Sequence, residues 1–282
     1  MLVLLHGLQR WMLLRNHRIA PEMSRWLKQG TENNLSLMDI GCGEGMYVKR
    51  ALQIGCKTGR IAKIIGLDAN AGWMEFLSQK ETAIFPSKSL VSPEIVFKTL
   101  DMQADKQALL TSLPSIHRLI CISSLQYLNQ PLQEFSDWIH ALPVGAEFFL
   151  YLPVQHQQYT PWYRWLFRQG QNYEAQFHRP EPVGLVAFKE FVTAQKSNNQ
   201  LKTIQLSYHY HRLAAIGHEQ FSTVLMVWNW KTASPGLNIV LKVLAFLLVL
   251  PAWITSAVLY YVDRIIAVGE PNSVLWIGKK MG

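Results

Sequence analysis

The chain of 282 residues is poor in cysteine and in charge. It has only three cysteines, Cys42, Cys56 and Cys121, and charged residues make up 16% of the sequence. Because the cysteines form neither an even set nor a metal-binding pattern, we expect reduced thiols in a cytoplasm-facing domain and no metal site. The sequence also lacks internal repeats and low-complexity tracts, and its length suits one sizeable core with an added subdomain.

Runs of lysine and arginine are absent as well, although the formal net charge is +8. A basic balance suits either nucleic acid or an anionic membrane surface. Nucleic-acid binders usually concentrate their basic residues in runs or stripes. We therefore expect no nucleic-acid partner.

The most informative stretch that is present is residues 35–45, LSLMDIGCGEG. An apolar run containing the acid Asp39 is followed by Gly41, Gly43 and Gly45 at alternate positions. The run predicts a buried parallel strand, and the residues after the glycines predict a helix. Glycines between such elements let the backbone turn sharply and approach a ligand with no Cβ in the way. The spacing differs from the G-x-G-x-x-G of the dinucleotide fingerprint.

A second apolar run, Ile64–Asn70, follows the predicted helix and contains the acid Asp68. Strand, glycine turn, helix, strand and acid together make a βαβ unit. An acid at the end of its second strand can accept hydrogen bonds from both hydroxyls of a ribose. The alternatives for Asp68 are a solvated strand-end acid or an N-cap of the next helix.

With these residues in view, the sequence resembles class I S-adenosylmethionine-dependent methyltransferases. The resemblance covers roughly residues 35–152 and consists of five segments in the family's order. In sequence order these segments are Asp39–Gly45 (the first motif), Leu67–Asp68 (the second motif), Thr99–Met102 (the acidic turn after the third strand), Leu119–Leu128 (the fourth strand) and Leu142–Tyr151 (the fifth strand).

The resemblance implies an α/β, Rossmann-like fold, with a seven-stranded, mostly parallel sheet flanked by helices. It also implies S-adenosyl-L-methionine as the cofactor. The glycine turn would admit the methionine part, Asp68 would hold the ribose, and Asp101 the adenine, with Met102 against the ring. Ser123 would lie beside the sulfonium. The predicted cofactor-binding residues are Asp39, Gly41, Cys42, Gly43, Gly45, Asp68, Asp101, Met102 and Ser123.

Near the C-terminus, Val243–Val262 carries no charged residue over about 20 positions, which is the length that a helix needs to cross a hydrocarbon core. Lys242 and Arg264 flank this run, and Trp and Tyr residues lie near its ends, as in an aromatic belt. A membrane-associated segment over residues 237–262 is therefore predicted. The alternative is a buried helical pair of a soluble fold.

Two segments around this apolar run resemble the last two strands of the methyltransferase sheet, Lys202–Tyr208 and Val274–Lys279. If both join one sheet, the apolar segment is an insertion with both ends on the same side. We therefore expect a kinked re-entrant or interfacial hairpin bent at Pro251. The alternative is a single span, with the last strand outside the sheet.

Two further regions complete the predicted organisation. Residues 1–34 predict a basic amphipathic helix that caps the cofactor site, lies on anionic lipid or simply covers the sheet. Residues 153–231 predict an acceptor-side region and a return strand. Their aromatic residues and arginines suit a planar, anionic acceptor or a membrane-facing lid. The core is residues 35–152, and the final strand and tail are residues 270–282.

No catalytic residue is predicted, because holding the methyl donor and the methyl acceptor in line can by itself remove much of the activation barrier to methyl transfer. A base is needed only if the acceptor loses a proton, and Tyr127, His140 and His156 are the nearby candidates.

We expect a methyltransferase at the cytoplasmic face of a membrane, with a lipophilic small-molecule acceptor. The alternatives are an inactive membrane scaffold with this fold and a nicotinamide-dependent oxidoreductase.

Overall fold

The structure is a computed structural model of the full chain. It describes residues 14–79, 93–154, 159–168, 183–198, 200–230, 232 and 234–282. The chain divides into two compact units. The sheet unit comprises Arg15–Leu152, Val186–Ser207 and Val274–Gly282, and the hairpin unit includes Pro153–Leu185 and Tyr208–Ser273.

The fold is built on a seven-stranded sheet in the order β3-β2-β1-β4-β5-β7-β6, which confirms the predicted Rossmann-like α/β class. Strands β1 to β5 pair in parallel. Hydrogen bonds Lys280 N–Ala146 O and Met281 N–Gln200 O place β7 antiparallel to both of its neighbours. The strands are β1 Leu35–Ile40, β2 Ile61–Asp68, β3 Glu94–Thr99, β4 Arg118–Ile122, β5 Glu147–Pro153, β6 Leu201–His209 and β7 Ser273–Lys280.

Helices connect the parallel strands, as crossover connections require. The helices in the described part of the chain are α1 Leu14–Lys28, α2 Met46–Thr58, α3 Ala71–Gln79, α4 Lys106–Ser112, α5 Pro131–Ala141, α6 Pro161–Arg168, α7 Leu185–Ser197, α8 Arg212–Asn229 and α9 Pro235–Ile266. The predicted strands near residues 202–208 and 274–279 are both present in the sheet.

The central strands are buried on both faces, because apolar side chains point alternately to either side. On one face, the Trp276 ring of β7 contacts Phe135, Phe148 and Phe188 edge-on or tilted. On the other face, α1, α2 and the strands share a core cluster that includes Met23, Trp26, Val48, Leu37, Ile120 and Phe149. Helices thus cover both faces of the sheet.

Helix α1 is amphipathic, and it covers one face of the sheet with Ile19, Met23 and Trp26. Its end is held at the amino edge of the sheet, where Trp26 Nε1 donates to Glu147 (2.9 Å) and Arg118 donates to the Trp26 carbonyl. Buried Arg118 also pairs with Glu147 at 2.8 Å. The predicted residues before Leu14 lie outside the described part of the chain.

The hairpin unit contains two antiparallel helices, α8 and α9. Gly217 of α8 lies against Ser256 of α9, where a Cβ would be 2.9 Å from the Ser256 Cα. The two ends of the hairpin meet, since Asn272 N donates to Tyr210 O at 3.0 Å. The chain therefore leaves the sheet after β6 and returns directly to β7.

This hairpin corrects both predictions for the apolar segment. The prediction of a bend at Pro251 is wrong, because α9 is one continuous helix of 32 residues with Pro251 inside it. The alternative of a last strand outside the sheet is also wrong, because β7 lies between β5 and β6. Helix α8, which was not predicted, runs antiparallel to α9, so the two helices together bring the chain back to the sheet.

Candidate cofactor site

The predicted site residues follow the carboxyl ends of neighbouring parallel strands. Strand β1 pairs with β2 on one side and with β4 on the other, so the loops that follow these three strands share one edge. The strand order reverses between β1 and β4, and ligands of open α/β sheets bind at such a switch point. All nine predicted residues belong to the sheet unit.

The three glycines of the turn after β1 have left-handed backbone, with φ of 72° at Gly41, 50° at Gly43 and 73° at Gly45. The turn is anchored to β2, because Gly41 N and Cys42 N both donate to the Leu67 carbonyl. At Gly41 a Cβ would lie 2.2 Å from the Ser124 Cβ, so only glycine fits.

Asp68 ties the glycine turn to the end of β2. Its Oδ2 accepts from Gly43 N and its Oδ1 accepts from Asn70 N, each at 2.9 Å. A Cβ built on Gly43 would meet no described atom within 4 Å. The backbone of Gly43 therefore faces open space next to a fixed carboxylate, which is the arrangement that the ribose hypothesis requires.

Asp39 lies under the same turn and is 1% exposed. Burial, and then the charge of Asp68, raise the pKa of Asp39 from 3.8 to about 8. Within the described part of the chain, its Oδ2 has no hydrogen-bond partner. A buried orphan oxygen of this kind is uncommon and favours a group that is bound during function.

The two cysteines near the turn have no features of reactive thiols. Cys42 Sγ lies 3.0 Å from the position that a Cβ on Gly66 would take, so this side chain fills a tight space. Burial raises the pKa of the Cys42 thiol, and it raises the pKa of Cys121 to about 12. Thiols with raised pKa values are poor nucleophiles, which agrees with a packing role for both.

The acidic turn after β3 holds Asp101 and Met102. Asp101 is exposed, and its Oδ1 accepts from Gln103 N (2.8 Å) and Ala104 N (3.1 Å). Leu100 N donates to the Asp68 carbonyl, which joins this turn to the end of β2. Met102 is half-buried beside it.

Ser123 follows β4 directly and has a φ of 56°, which is rare for a residue with a Cβ. Such strained residues cluster at functional sites. Its N–H donates to the Tyr151 carbonyl of β5, and its own carbonyl accepts from Gln126 Nε2 at 2.7 Å.

Two polar residues beside Ser123, which were not predicted from the sequence, also belong to this edge of the sheet. Ser124 Oγ donates to the Ile40 carbonyl at 2.8 Å, and its Cβ occupies the space left by Gly41. Gln126 is buried, and its Oε1 has no partner among the described residues. In the sequence, the one indication of Gln126 is an amide side chain between the apolar residues Leu125 and Tyr127. No sequence pattern pairs Ser124 with Gly41.

The candidate bases are distributed differently from the prediction. Tyr127 follows β4 at the carboxyl edge and is partly exposed. His140 lies at the end of α5, just before β5 begins, and therefore at the opposite edge of the sheet. The prediction of His140 near the site is thus wrong, and His156 lies outside the described residues.

Comparisons with known proteins identify the fold. No family model and no curated protein matches the sequence. Among solved structures, a protein named as a sarcosine dimethylglycine methyltransferase from Galdieria sulphuraria aligns at a TM-score of 0.53 and 13% identity, covering 95% of this chain and 86% of that one. The [4+2]-cyclase SpnF aligns at 0.52 and 11% identity, covering 94% and 80%.

A third structure is phosphoethanolamine N-methyltransferase 2 of Haemonchus contortus in complex with S-adenosyl-L-methionine. It aligns at a TM-score of 0.51 and 12% identity, covering 96% of this chain. The present chain spans only 53% of that protein. The chain therefore has the methyltransferase fold, with a long apolar helix near its C-terminus.

Proposed function

We propose that this protein is an S-adenosylmethionine-dependent methyltransferase that acts on a lipophilic, membrane-delivered acceptor. The observation that carries the enzymatic part is the contact between Gly43 N and Asp68 at the switch point, beside the buried carboxyl group of Asp39, whose Oδ2 has no partner among the described residues. The cyclase among the structural neighbours shows that this fold also serves other chemistry, so the site and not the fold supports the proposal.

The residues present fit S-adenosylmethionine. The open space beside Gly43 admits a ligand against the backbone, and Asp68 presents carboxylate oxygens to a ribose. Asp101 provides a hydrogen-bond acceptor for the adenine amino group, and Met102 provides an apolar surface for the adenine ring. The orphan Oδ2 of Asp39 can accept from a donor that arrives with the ligand.

When bound, the cofactor supplies an electrophilic methyl group on a sulfonium. Gly43 and Asp68 would hold the nucleoside part of the cofactor, so that its methyl carbon would be presented to an acceptor at the same edge of the sheet. The role of the chain is to hold the two in line, because proximity and orientation can supply most of the acceleration. Tyr127 at the carboxyl edge is the described candidate for receiving a proton.

The membrane part of the proposal rests on the polarity of α9. Its buried side chains are Ala245, Ser256, Tyr260 and Asp263. Its outer face is instead a continuous apolar stripe at helical spacing, 49–67% exposed. This outer face consists of Val243, Phe246, Leu247, Leu250, Ile254, Val258 and Tyr261.

A helix of a water-soluble protein normally buries its apolar face and exposes its polar one. In α9 small and polar residues face the partner helix, and the apolar residues face outward, as expected when lipid is the surrounding medium. Among the described residues, α9 is also the one helix long and apolar enough to cross a membrane, and 6% of its most apolar window is buried.

Transfer of labelled methyl groups tests this function directly. The purified protein is incubated with methyl-tritiated S-adenosylmethionine and a detergent extract of membranes, and label in the organic-soluble fraction is counted. We expect incorporation by the wild type and none by Asp68→Ala. The matched control is Glu94→Ala, which removes an exposed acid of the same sheet unit that pairs with Lys63.

Incorporation that survives in Asp68→Ala would contradict the assigned site. Cofactor binding without transfer to any extract would favour the inactive scaffold. Tight binding of a reduced nicotinamide in place of S-adenosylhomocysteine would favour an oxidoreductase.

A further inference from the structure

The hairpin unit has an uneven distribution of outward-facing charge. Its two buried acids are used internally: Asp263 accepts from the N–H groups of His211, Leu213 and Ala214, and Glu219 accepts from Tyr159 and Thr160. The exposed charged residues that remain in the described part of this unit are Arg164, Arg168, Arg212, Lys242, Arg264 and Glu270. Five of these six are cations.

Helix α6 combines two of those cations with exposed aromatic rings. Trp162 is 74% exposed and Trp165 is 46% exposed, on the same short helix as Arg164 and Arg168. The Trp165 ring lies 5.4 Å from that of Trp230, at the end of α8. Tryptophan and arginine at the edge of an apolar surface are typical of the headgroup region of a bilayer.

The position of α6 along α8 decides how the hairpin can enter a membrane. The start of α6 is bound to Glu219 through Thr160, and Trp165 reaches Trp230, so α6 runs beside the second half of α8. Gly217 of α8 lies level with Ser256 of α9, so a hairpin crossing the bilayer would bring Glu219 and the start of α6 to the middle of the hydrocarbon core. Charged side chains at that depth are rare and unfavourable.

We propose that the hairpin unit lies in the plane of one leaflet of an anionic phospholipid bilayer. The outer face of α9 is immersed among the acyl chains, and the tryptophans and arginines of α6 lie at the level of the phosphates. This inference rests on the proposed membrane association and adds the orientation and the chemistry of the lipid. Charge complementarity selects the partner, since the exposed charges are mainly cationic and the lipid headgroups are anionic.

Vesicle flotation tests the lipid chemistry. Full-length protein is mixed with vesicles of phosphatidylcholine alone or with one third phosphatidylglycerol, at low and high salt. We expect stronger binding to the anionic vesicles, weakened by salt. Each basic residue near an anionic surface contributes roughly fivefold in affinity, so Arg164→Gln with Arg168→Gln should lose about 25-fold.

The matched control is Lys57→Gln with Lys196→Gln, which removes two exposed cations of the sheet unit and should leave flotation unchanged. Equal binding to both vesicles, or equal loss in the control pair, would overturn the anionic-lipid assignment. Binding of S-adenosylhomocysteine is measured on the same samples, so failure of the cofactor site is seen separately.

A cysteine at the tip of the hairpin tests the orientation. Gly236 lies in the first turn of α9, where an added Cβ would meet no atom of the described residues within 4 Å, so we expect Gly236→Cys to be tolerated. In sealed vesicles with protein added outside, in-plane binding leaves this thiol open to a membrane-impermeant maleimide. Protection until the vesicles are lysed would mean that the hairpin crosses the bilayer, and would contradict the proposal. Wild-type protein measures the background of the native thiols.

Discussion

At the residue scale, three glycines with positive φ have different surroundings, and these can be separated experimentally. Gly41 combines a φ of 72° with a close approach to Ser124, whereas at Gly43 and Gly59, which also have positive φ, an added Cβ would meet no described atom within 4 Å. Alanine at any of them adds roughly 1–2 kcal/mol of backbone strain. Only at Gly41 does the added methyl group also overlap another side chain.

We predict that Gly43→Ala and Gly59→Ala lose similar stability, about 1–2 kcal/mol in urea unfolding, and that only Gly43→Ala loses affinity for S-adenosylhomocysteine. The reason is that the Cβ at Gly43 enters the space assigned to the ligand. Isothermal titration calorimetry of both variants checks this. Equal affinities for the two variants would remove Gly43 from the site.

The raised pKa of Asp39 makes a prediction about pH. The Asp39 carboxyl stays protonated up to about pH 8 in the folded protein, but only up to about pH 4 in the unfolded chain. Between these two pH values the folded state therefore binds more protons than the unfolded state. Stability therefore falls as pH rises through this window, by up to about 1.4 kcal/mol per pH unit. In Asp39→Asn this contribution is absent.

Urea unfolding at several pH values between 5 and 8 measures the free energy of unfolding of wild type and of Asp39→Asn. We expect the free energy of the wild type to fall relative to that of the variant as the pH rises. Parallel curves for the two proteins would show that Asp39 is ionised in the folded state.

Much of the site could be predicted at this scale. The alternate glycines and the strand-end acids Asp39 and Asp68 are local patterns, and the structure brings them together at one edge of the sheet. Ser124 could not be found, because its contact with Gly41 depends on the pairing of β1 with β4, which are far apart in the sequence. His140 was misplaced because sequence order alone does not say at which edge of the sheet a helix ends.

At the scale of elements, buried carboxylates hold the hairpin unit together. Asp263 of α9 caps the first turn of α8, and Glu219 of α8 caps the start of α6 with both of its oxygens. Hydrogen bonds to a charged acceptor contribute about 1.5–3 kcal/mol each, and the helix N-terminus favours the negative charge.

We predict that Glu219→Ala releases α6, because Tyr159 N, Thr160 N and Thr160 Oγ1 lose their acceptor. Trypsin should then cleave after Arg164 and Arg168 about tenfold faster or more, as mass spectrometry would show. Gln220→Ala, at the exposed neighbouring position, is the control. An unchanged cleavage rate in Glu219→Ala would mean that other contacts hold α6.

The elements of the sheet were largely predictable, whereas the hairpin was not. The strands have apolar runs bounded by glycine, proline or acids, and their order follows the family that the sequence resembles. Helix α8 was missed because Glu219 and His218 interrupt its apolar pattern, and only the structure shows that Glu219 is buried under backbone donors. Pro251 suggested a bend in the apolar segment. It removes only one backbone N–H donor from a helix of 32 residues, and the packing of α8 along α9 stabilises the continuous helix.

At the scale of the whole molecule, the chain combines two units with different surroundings. The sheet unit has an ordinary apolar core with helices on both faces, and it contains every predicted cofactor residue. The hairpin unit exposes the apolar outer face of α9.

We predict that the protein needs detergent or lipid to remain monodisperse. Lysines at Leu247 and Leu250 should relieve this need in size-exclusion chromatography, whereas lysines at Ala245 and Ser256, in the helix seam, should unfold the hairpin.

The central claim is that the edge of the sheet next to β1, β2 and β4 binds the methyl donor. Its most direct test is thermal or urea unfolding of the full-length protein with and without S-adenosylhomocysteine. At about 100 times its dissociation constant, the ligand should add roughly 2.7 kcal/mol to the free energy of unfolding. We expect this gain in wild type and in Glu94→Ala, and its loss in Asp68→Ala. No gain at saturating ligand in the wild type would contradict it.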